Sequence, residues 1–468
     1  MTASELTGTS DDVRRERVDA LRARMRGQVI DPAHPAYDEA RRVWNGLIDR
    51  HPAVIARCTG TADVVEAVRV ARAHRPTVSI RGGGHQVAGS AVCDDGLVID
   101  LSAMTGVHVD PATRTVRAGA GATWADVDRA TQVFGLATPG GEVSQTGIAG
   151  LTLGGGMGVL MRAHGLSCDN LRSIEIVTAD GVVRTASREE HPDLFWAARG
   201  GGRGLGVVTS FEFDAHPLGP SVARAEVFYD YADARSVLRG WRDLTAALPD
   251  TVAPEFVLWS IPPDPAVPAD LHGAKVVIVA GMYAGPPEDA AAVLAPLSEL
   301  GTPLMDLSGT VDYVDLQCAL DPAFPDGARY YMKSHFMDHL GDEAVTALLD
   351  CDARRPSPQS LVVIRTLGGA VARVGDDETA FAHRRAQYNL SIDAGWTDPA
   401  LDATAIGWAR STWDAMAPHA TGGVYLNFAG LGDDADHGEV YGAHARRLAD
   451  IRTAYDPDGL FAVAADQR

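Results

Sequence analysis

Short apolar runs alternate with amphipathic segments in the first part of the chain, a pattern typical of alternating strands and helices. The run at residues 51–58 predicts a strand. Residues 62–74 repeat apolar side chains every three or four positions, which predicts a helix that Thr61 caps. Two further runs, at residues 77–80 and 97–101, predict strands on either side of a glycine turn. This order predicts a small α/β unit.

The alternation continues after this unit with another strand and helix. Residues 115–121 predict a strand, and Thr123 with Asp126 three positions later has the spacing of a capping box that starts a helix. Gly135 ends that helix, and residues 174–177 predict a further strand. These elements predict a second α/β unit beside the first.

The pattern changes between residues 218 and 415, where strand-like runs alternate with helix-like segments without a glycine-rich phosphate loop. We therefore predict an antiparallel sheet backed by helices, in a separate α+β layer that we assign as a substrate domain. The proline-rich residues 262–268 predict a rigid loop within it. The strand-like runs are residues 223–229, 256–261, 275–283 and 361–366.

The two ends of the chain differ in character. The N-terminal end is a polar tail followed by a charged helix over residues 11–26, to which we assign no function. Near the C-terminal end, residues 422–428 predict a strand and residues 439–455 a helix, which return the chain to the first domain. The predicted divisions are residues 1–44, 45–217, 218–415 and 416–468.

Three consecutive glycines, Gly82, Gly83 and Gly84, directly follow the strand at residues 77–80. Glycines in such a turn allow several main-chain N–H groups to face one anion, such as a pyrophosphate. His85 ends the turn, although a phosphate loop does not need a histidine. Taken alone, these residues are equally consistent with a surface turn that carries a solvated imidazole.

A second glycine-rich stretch covers residues 135–158 and is too rich in glycine for the interior of an ordinary helix or strand. A flexible linker is one interpretation of that composition. Interleaved apolar residues favour another, a buried wall that packs closely on a flat ligand. Those residues are Ile148, Leu151, Leu153, Met157, Val159 and Leu160. No glycine cluster in the chain has the spacing of a Rossmann loop.

Composition limits the partners that we expect. The chain has 468 residues, with 41 Lys and Arg against 62 Asp and Glu, so its formal charge of −21 disfavours nucleic acid and anionic membranes. No apolar stretch predicts a membrane span or a secretory signal, which leads us to expect a cytoplasmic protein. Five scattered cysteines predict neither a disulfide framework nor a metal site.

Two motifs together resemble the berberine-bridge-enzyme-like family of FAD-linked oxidases. Arg81, Gly83, Gly84 and His85 match R-x-G-G-H, and Gly165, Cys168, Asp169 and Asn170 match G-x-x-C-D-N. The resemblance covers the chain from about residue 45 to its end. It implies an α+β protein with a PCMH-type FAD-binding domain of two small α/β subdomains and an α+β substrate domain.

The resemblance also implies how the cofactor is held. FAD would be bonded at its 8α carbon to His85 and at its 6 carbon to Cys168. The second glycine-rich stretch would line the diphosphate and ribityl chain. The other implied contacts are Arg81, Gly82, Gly83, Gly84, Gly89, Ser90, Gly147, Gly150, Gly154, Gly155, Gly158, Asp169, Gly206 and Val208.

This sequence departs from the family pattern in two places. The family's G-G-G-x-N-F-G-V-V-T is here interrupted by Arg203, Gly204 and Leu205, although backbone contacts from Gly206 and Val208 could survive. At the chain end only Phe461 is kept, so this end is expected to pack differently.

Tyr425 and Asn427 match the family's Y-x-N-Y motif, and Phe428 replaces its second tyrosine. From pattern alone Tyr425 is better explained as an aromatic residue in a core strand. The resemblance implies instead that Tyr425 is a catalytic base beside the flavin. A tyrosine has a pKa of about 10, so this role would need nearby positive charge or hydrogen bonds.

These features predict an oxidase that transfers a hydride from a small-molecule alcohol, either a sugar lactol or a natural-product hydroxyl, to bicovalently bound FAD. O₂ would reoxidise the flavin and give hydrogen peroxide. Amine oxidation or oxidative ring closure in secondary metabolism is an alternative, and a non-catalytic flavin carrier is another. Pocket candidates in the substrate domain are Tyr330, Tyr331, Lys333, His335 and Arg365.

Overall fold

The computed structural model describes residues 10–263, 267–430 and 437–461. The predicted polar tail up to residue 9, the centre of the predicted proline-rich loop and the chain end after Phe461 lie outside the described residues. The described strands form three large sheets and one small two-stranded pair. No described helix is long and apolar enough to cross a membrane.

The first sheet has four strands in the order β1-β2-β4-β3, with β2, β4 and β3 parallel and β1 antiparallel to β2. The predicted strand–helix–strand unit is confirmed, because α3 buries Val64 and Val68 in the core beneath these strands. The elements are α1 (Ser10–Arg22), β1 (Gln28–Ile30), α2 (Tyr37–Ala40), β2 (Val54–Arg57), α3 (Thr61–His74), β3 (Val78–Arg81) and β4 (Leu97–Asp100).

The start of α3 differs from the prediction by one residue. Gly60 is the N-cap, and the Thr61 hydroxyl instead donates a hydrogen bond of 2.6 Å to Glu175. Asp63, in the first turn, accepts the main-chain N–H groups of Arg26 and Gly27. The N-terminal segment also supplies strand β1, which pairs with β2 at the edge of the first sheet. The sequence did not predict this strand.

The second sheet has five antiparallel strands in the order β5-β6-β10-β8-β9. The predicted capping box of Thr123 and Asp126 is confirmed at the start of α4. The elements are β5 (Val107–Asp110), β6 (Thr115–Gly119), α4 (Trp124–Gln132), β7 (Leu136–Ala137), α5 (Ile148–Leu153), α6 (Met161–His164), β8 (Leu171–Val177), β9 (Val183–Ser187), α7 (Pro192–Ala198), β10 (Val207–Asp214) and β11 (His216–Pro217).

The third sheet confirms the predicted antiparallel sheet backed by helices. Its described strands run β15-β12-β14-β13-β18-β19-β17, and β16 also pairs with β12. The elements are β12 (Ser221–Asp230), α8 (Ala234–Thr245), β13 (Val252–Ser260), β14 (Lys275–Tyr283), α9 (Ala290–Leu294), β15 (Pro303–Asp306), β16 (Gly309–Asp312), α10 (Tyr313–Cys318), β17 (Arg329–Met337), α11 (Asp342–Asp352), β18 (Leu361–Thr366), α12 (Gly369–Arg373), β19 (Tyr388–Trp396) and α13 (Asp402–Met416).

Alternation along the strands gives this third sheet two different faces. On β19, Leu390, Ile392 and Ala394 point into an apolar core shared with α8, α11 and α13. The residues between them, such as Ser391 and Asp393, therefore point to the opposite face. That face is directed toward the part of the chain that forms the first two sheets.

The C-terminal segment returns to the first domain. The predicted strand at residues 422–428 is wrong, because this segment is irregular and ends in a short 3₁₀ turn, Leu426–Phe428. The predicted helix is interrupted at residues 442–444 and forms α14 (His437–Tyr441) and α15 (Ala445–Tyr455). Leu448 and Ile451 of α15 pack in the core of the first two sheets.

Candidate functional site

One large cavity of about 1630 Å³ lies between the part of the chain that forms the first two sheets and the third sheet. Pockets for drug-sized ligands usually have volumes of about 300–1,000 Å³, so this cavity has room for a dinucleotide and a small substrate. Its wall includes the glycine turn after β3, helix α5, residues 202–206 and 425–430, and one side chain from each of β17, β18 and β19.

The glycine turn and the second glycine-rich stretch meet backbone to backbone at this wall. A Cβ atom built on Gly83 would lie 2.5 Å from the Cα of Gly147, and one on Gly147 would lie 2.4 Å from the nitrogen of Gly83. No side chain fits at either position. Both glycines line the cavity, which exposes main chain where the sequence predicted a wall against a flat ligand.

His85 lies in the cavity wall directly after this turn. Its ring stacks on Trp44 at a centroid distance of 4.4 Å, and its Nδ1 lies 3.5 Å from the hydroxyl of Thr146. Burial lowers the pKa of His85 to about 4, so the imidazole is neutral near pH 7. A neutral imidazole has the nitrogen lone pair that a bond to a cofactor carbon requires.

Cys168 is buried next to the cavity wall, in one apolar cluster with Met157 and Tyr425. It is 0% exposed in the 3₁₀ turn Ser167–Asn170, and it is absent from the described residues that line the cavity. Its sulfur lies 3.7 Å from a carboxylate oxygen of Asp169, and burial raises the pKa of the thiol well above its usual value. The bond between Cys168 and the cofactor that the resemblance implies stays a prediction, because burial disfavours the reactive thiolate in the protein without its cofactor.

Asp169 does not contact the cavity either. Its carboxylate forms a buried ion pair with Arg384, with a closest distance of 2.6 Å, and accepts the N–H of Leu166. Arg81 lies behind the glycine turn, where its guanidinium donates to the carbonyl of Ala40. Both cofactor contacts stay predictions, and in this structure both residues support the wall through these polar contacts.

The remaining predicted cofactor residues divide into two groups. Several glycines are packing positions outside the cavity, where an added Cβ would meet protein atoms at 2.1 to 2.9 Å. These are Gly89, Gly154, Gly155 and Gly158. The residues that line the cavity are Gly82, Gly83, Gly84, His85, Ser90, Gly147, Gly150, Gly206 and Val208, together with Tyr425 and Asn427.

The Tyr425 hydroxyl is held by three donors. It accepts the main-chain N–H groups of Gly156 at 3.0 Å and Met157 at 3.2 Å, and the side-chain amide of Asn427 at 2.9 Å. The same amide also donates to the carbonyl of Leu151 in α5. Burial raises the pKa of Tyr425 to about 12, although the three donors oppose this rise. The ring is fixed in place, with its oxygen directed at main chain.

An ion-pair network on the opposite wall includes residues that the sequence did not single out. The Arg365 guanidinium donates to both carboxylate oxygens of Glu142 at 2.6 to 3.0 Å, and Glu255 lies 3.7 Å from it. Burial and the neighbouring Glu142 raise the pKa of Glu255 well above its usual value. Arg365 was one of five predicted pocket candidates, and it lines the cavity with Glu142.

Asp393 lies beside this network and also lines the cavity. One carboxylate oxygen accepts the hydroxyl of Ser391 at 2.9 Å, and Ser391 in turn accepts from Arg365 at 3.1 Å. The other oxygen, Oδ1, is buried and has no partner among the described residues. Burial raises the pKa of Asp393 to about 6.

The four other predicted pocket candidates lie away from the described cavity wall. Tyr331 accepts a hydrogen bond from Arg410, and both Lys333 and His335 contact the ring of Trp413. Tyr330 stacks on the back of Trp44 at 3.9 Å. These residues support the sheet and its helices, and Tyr330 also supports the Trp44–His85 stack.

At the far end of the cavity lie cationic side chains. Arg203 and Arg452 line it, and Arg452 donates to the carbonyl of Gly201 and to the hydroxyl of Tyr441. The residues that depart from the family pattern, Arg203 to Leu205, thus belong to the wall. A long cavity with exposed glycine main chain, guanidinium groups at one end and a neutral imidazole along its length fits FAD.

Comparisons with known proteins agree with this fit. The FAD binding domain family matches residues 52–187. The chain is 30% identical to an FAD-linked oxidoreductase of Dictyostelium discoideum over 89% of both chains. It is also 30% identical to (R)-6-hydroxynicotine oxidase of Paenarthrobacter nicotinovorans, over 93% of this chain and 95% of that protein. In structure it is similar to Physcomitrella patens BBE-like 1, with a TM-score of 0.85, 22% identity and coverage of 97% and 98%.

Proposed function

Because the chain belongs to the FAD-linked oxidoreductases, we propose that it is an oxidase that removes a hydride and a proton from a small molecule. The observation that carries this proposal is the large cavity in which glycine main chain and the neutral His85 face the same space. FAD bound there supplies the acceptor for the two electrons.

His85 is the single covalent anchor in this proposal. Its imidazole lies in the cavity wall, and its stack on Trp44 fixes the ring plane. A second bond through Cys168 is left out, since that thiol is buried behind the wall. One covalent bond between His85 and the flavin ring keeps the cofactor in an open cavity. The side of the cavity away from His85 is then left for the substrate.

The substrate end of the cavity is the part bounded by Trp44, Phe324, Met332 and Phe428, with Glu142, Arg365 and Asp393 as its charged groups. We propose a substrate whose reacting carbon carries a hydroxyl group, such as a sugar lactol or a natural-product alcohol, with O₂ as acceptor and hydrogen peroxide as product. An amine is the second candidate. The related protein from Paenarthrobacter nicotinovorans, whose name gives 6-hydroxynicotine as its substrate, supports including amines.

In this proposal Tyr425 and Asn427 position the wall around the reacting groups. The Asn427 amide joins the Tyr425 hydroxyl to α5, and the two main-chain donors hold the loop at Gly156. The predicted role of Tyr425 as proton acceptor stays a prediction. Its hydroxyl oxygen already accepts three hydrogen bonds, which favour the anionic form but leave little of the oxygen for a substrate.

The test is a panel of sugars, alcohols and amines added to the purified yellow protein. We expect at least one compound to bleach the flavin without oxygen and to give hydrogen peroxide in air. A compound that binds and shifts the flavin spectrum, while none in the panel ever bleaches it, would support a non-catalytic flavin carrier instead.

A further inference from the structure

The cavity wall contains a buried carboxylate oxygen without a partner. Asp393 is 3% exposed, and its Oδ1 has no hydrogen-bond donor within the described part of the chain. Buried polar atoms in proteins are nearly always paired, and an exception requires an explanation. Since Asp393 lines the cavity, the missing donor is best supplied by a ligand bound there.

The surroundings of Asp393 hold its carboxylate in a fixed orientation. Ser391, two residues earlier on the same face of β19, donates to Oδ2 at 2.9 Å, which leaves Oδ1 for the cavity. Arg365 on β18 binds Ser391, but its remaining N–H groups are directed at Glu142. The titratable groups around Asp393 are therefore Arg365, Glu142 and, beyond them, Glu255 of β13.

The Glu142–Arg365 pair neutralises itself and leaves Asp393 without a counter-ion of its own. Glu142 accepts hydrogen bonds from the guanidinium through both of its carboxylate oxygens, and the raised pKa of Glu255 disfavours a second negative charge beside this pair. A carboxylate that is oriented, desolvated and not paired with a cation is a good acceptor for a proton from a bound molecule.

Asp393 and His85 line the same cavity. Met332, its partner across the β17–β19 pair, lines the same space. Met332 also packs in one apolar cluster with Trp44, and the Trp44 ring stacks on His85 at a centroid distance of 4.4 Å. The cofactor anchor and the unpaired carboxylate thus converge on one region of the cavity.

We propose that Asp393 is the proton acceptor for the substrate. As the substrate C–H bond breaks and a hydride leaves with two electrons for the bound flavin, the O–H or N–H proton moves to Oδ1. A carbon–oxygen or carbon–nitrogen double bond forms, and Asp393 becomes a carboxylic acid that later returns its proton to water. This inference rests on the proposed oxidase function, because it names the acceptor for that reaction.

The two candidate acceptors predict different pH profiles. Asp393 can accept a proton only when ionised, so the rate of flavin reduction should rise with pH through about 6 and then level off. Tyr425, whose pKa is raised to about 12, would give a rate that still rises far above neutral pH. The pH profile therefore separates the two residues.

The first experiment compares three variants of the holoenzyme, Asp393→Asn, Tyr425→Phe and the control Asp128→Asn. Asp128 is also buried with a raised pKa, about 7, but it is absent from the described cavity wall. With the panel compound that bleaches the flavin fastest, Asp393→Asn should reduce the flavin 10²–10⁴-fold more slowly and lose the rise near pH 6. Asp128→Asn and Tyr425→Phe should keep that rise.

The second experiment needs no substrate. Sulfite, an anion that adds reversibly to oxidised flavins, should bind about tenfold more tightly to Asp393→Asn than to the wild type at pH 8, because one negative charge is gone. At pH 5, where Asp393 is protonated, the two affinities should agree within about twofold. Asp128→Asn should match the wild type at both pH values.

Equal sulfite affinities of wild type and Asp393→Asn at pH 8 would overturn the proposal. So would an Asp393→Asn variant that reduces its flavin at the wild-type rate with an unchanged pH profile. If no panel compound bleaches the flavin of the yellow protein, the oxidase proposal fails. The sulfite comparison would still test whether Asp393 lies close to the flavin.

Discussion

At the scale of single residues, Tyr425 joins segments that are far apart in the chain. The donors to its hydroxyl are the N–H groups of Gly156 and Met157, nearly 270 residues earlier, and the amide of Asn427. Its ring contacts Phe428 edge to face at 5.0 Å, and Phe428 lies under the guanidinium of Arg365. The site is thus assembled around this ring from both parts of the molecule.

Replacing Tyr425 with Phe should therefore affect stability as well as catalysis. The variant leaves buried N–H groups without an acceptor, which costs about 1–3 kcal/mol. We expect that loss in the free energy of unfolding, measured by urea denaturation of the yellow protein, and a slower reduction of the flavin. Tyr283→Phe is the control, since the Tyr283 hydroxyl has no hydrogen bond within the described residues and its loss should change little. Equal stability of both variants would contradict the geometry at Tyr425.

Site residues could be predicted from the sequence only where they belong to a recognisable motif. His85 follows three glycines, so its place in the wall could be predicted from sequence. Asp393 lies in a strand of mostly buried residues and has no motif, and its importance comes from an unpaired oxygen that only coordinates reveal. Cys168 matched a motif, and the sequence could not show that its sulfur would be buried in an apolar cluster with Met157 and Tyr425.

At the scale of elements, helix α5 shows how the glycine-rich wall is built. Gly150 lies in this helix, lines the cavity and has open space where a side chain would project. Adding a methyl group there touches no protein atom, but it enters the space that we assign to the cofactor.

Gly150→Ala should therefore fold normally and bind FAD poorly. We expect a melting temperature of the flavin-free protein equal to or slightly above that of flavin-free wild type, because alanine favours a helix. We also expect a clear loss of flavin per chain, measured by absorbance. Gly407→Ala is the matched control, an exposed glycine in α13 with nothing within 4 Å of the added Cβ. A fully flavinylated Gly150→Ala protein would place the cofactor elsewhere.

Some elements were predictable from local pattern and others were not. The capping box of Thr123 and Asp126 depends on two residues in one turn, and it formed as predicted. The segment at residues 422–428 has the composition of a strand, but its hydrogen bonds go to Ser334 and Phe336 of β17, to Glu439 of α14 and to its own turn, so no strand ladder forms. Strands β17 and β19 were missed, because buried polar residues such as Ser391 interrupt their apolar pattern.

At the scale of the whole molecule, the cavity is held between two parts of the chain by buried polar contacts. Arg365 of the third sheet pairs with Glu142, which precedes α5 in the FAD-binding part. Asn45 makes a second link, because its amide donates to the carbonyls of Val87 and Tyr330. The charged pair therefore fixes the two walls of the site relative to each other.

Arg365→Ala should destabilise the protein by about 3–5 kcal/mol, because it leaves Glu142 buried without its partner. The measurement is the free energy of unfolding in urea at pH 7, and the loss should shrink at acid pH, where Glu142 becomes protonated. The control is Arg385→Ala, which removes an exposed ion pair with Asp376 and should leave stability almost unchanged. If the two variants have equal stability, the Glu142–Arg365 pair does not hold the walls together.

The most direct test of the proposed cofactor attachment is the mass of the acid-denatured protein and of its peptides that contain His85 and Cys168. We predict one FAD that remains on the protein after denaturation, carried by the His85 peptide, with the Cys168 peptide as an unmodified thiol. Flavin on the Cys168 peptide would contradict the buried position of that sulfur. A yellow protein that releases all of its flavin in acid would contradict the assignment of His85 as the anchor.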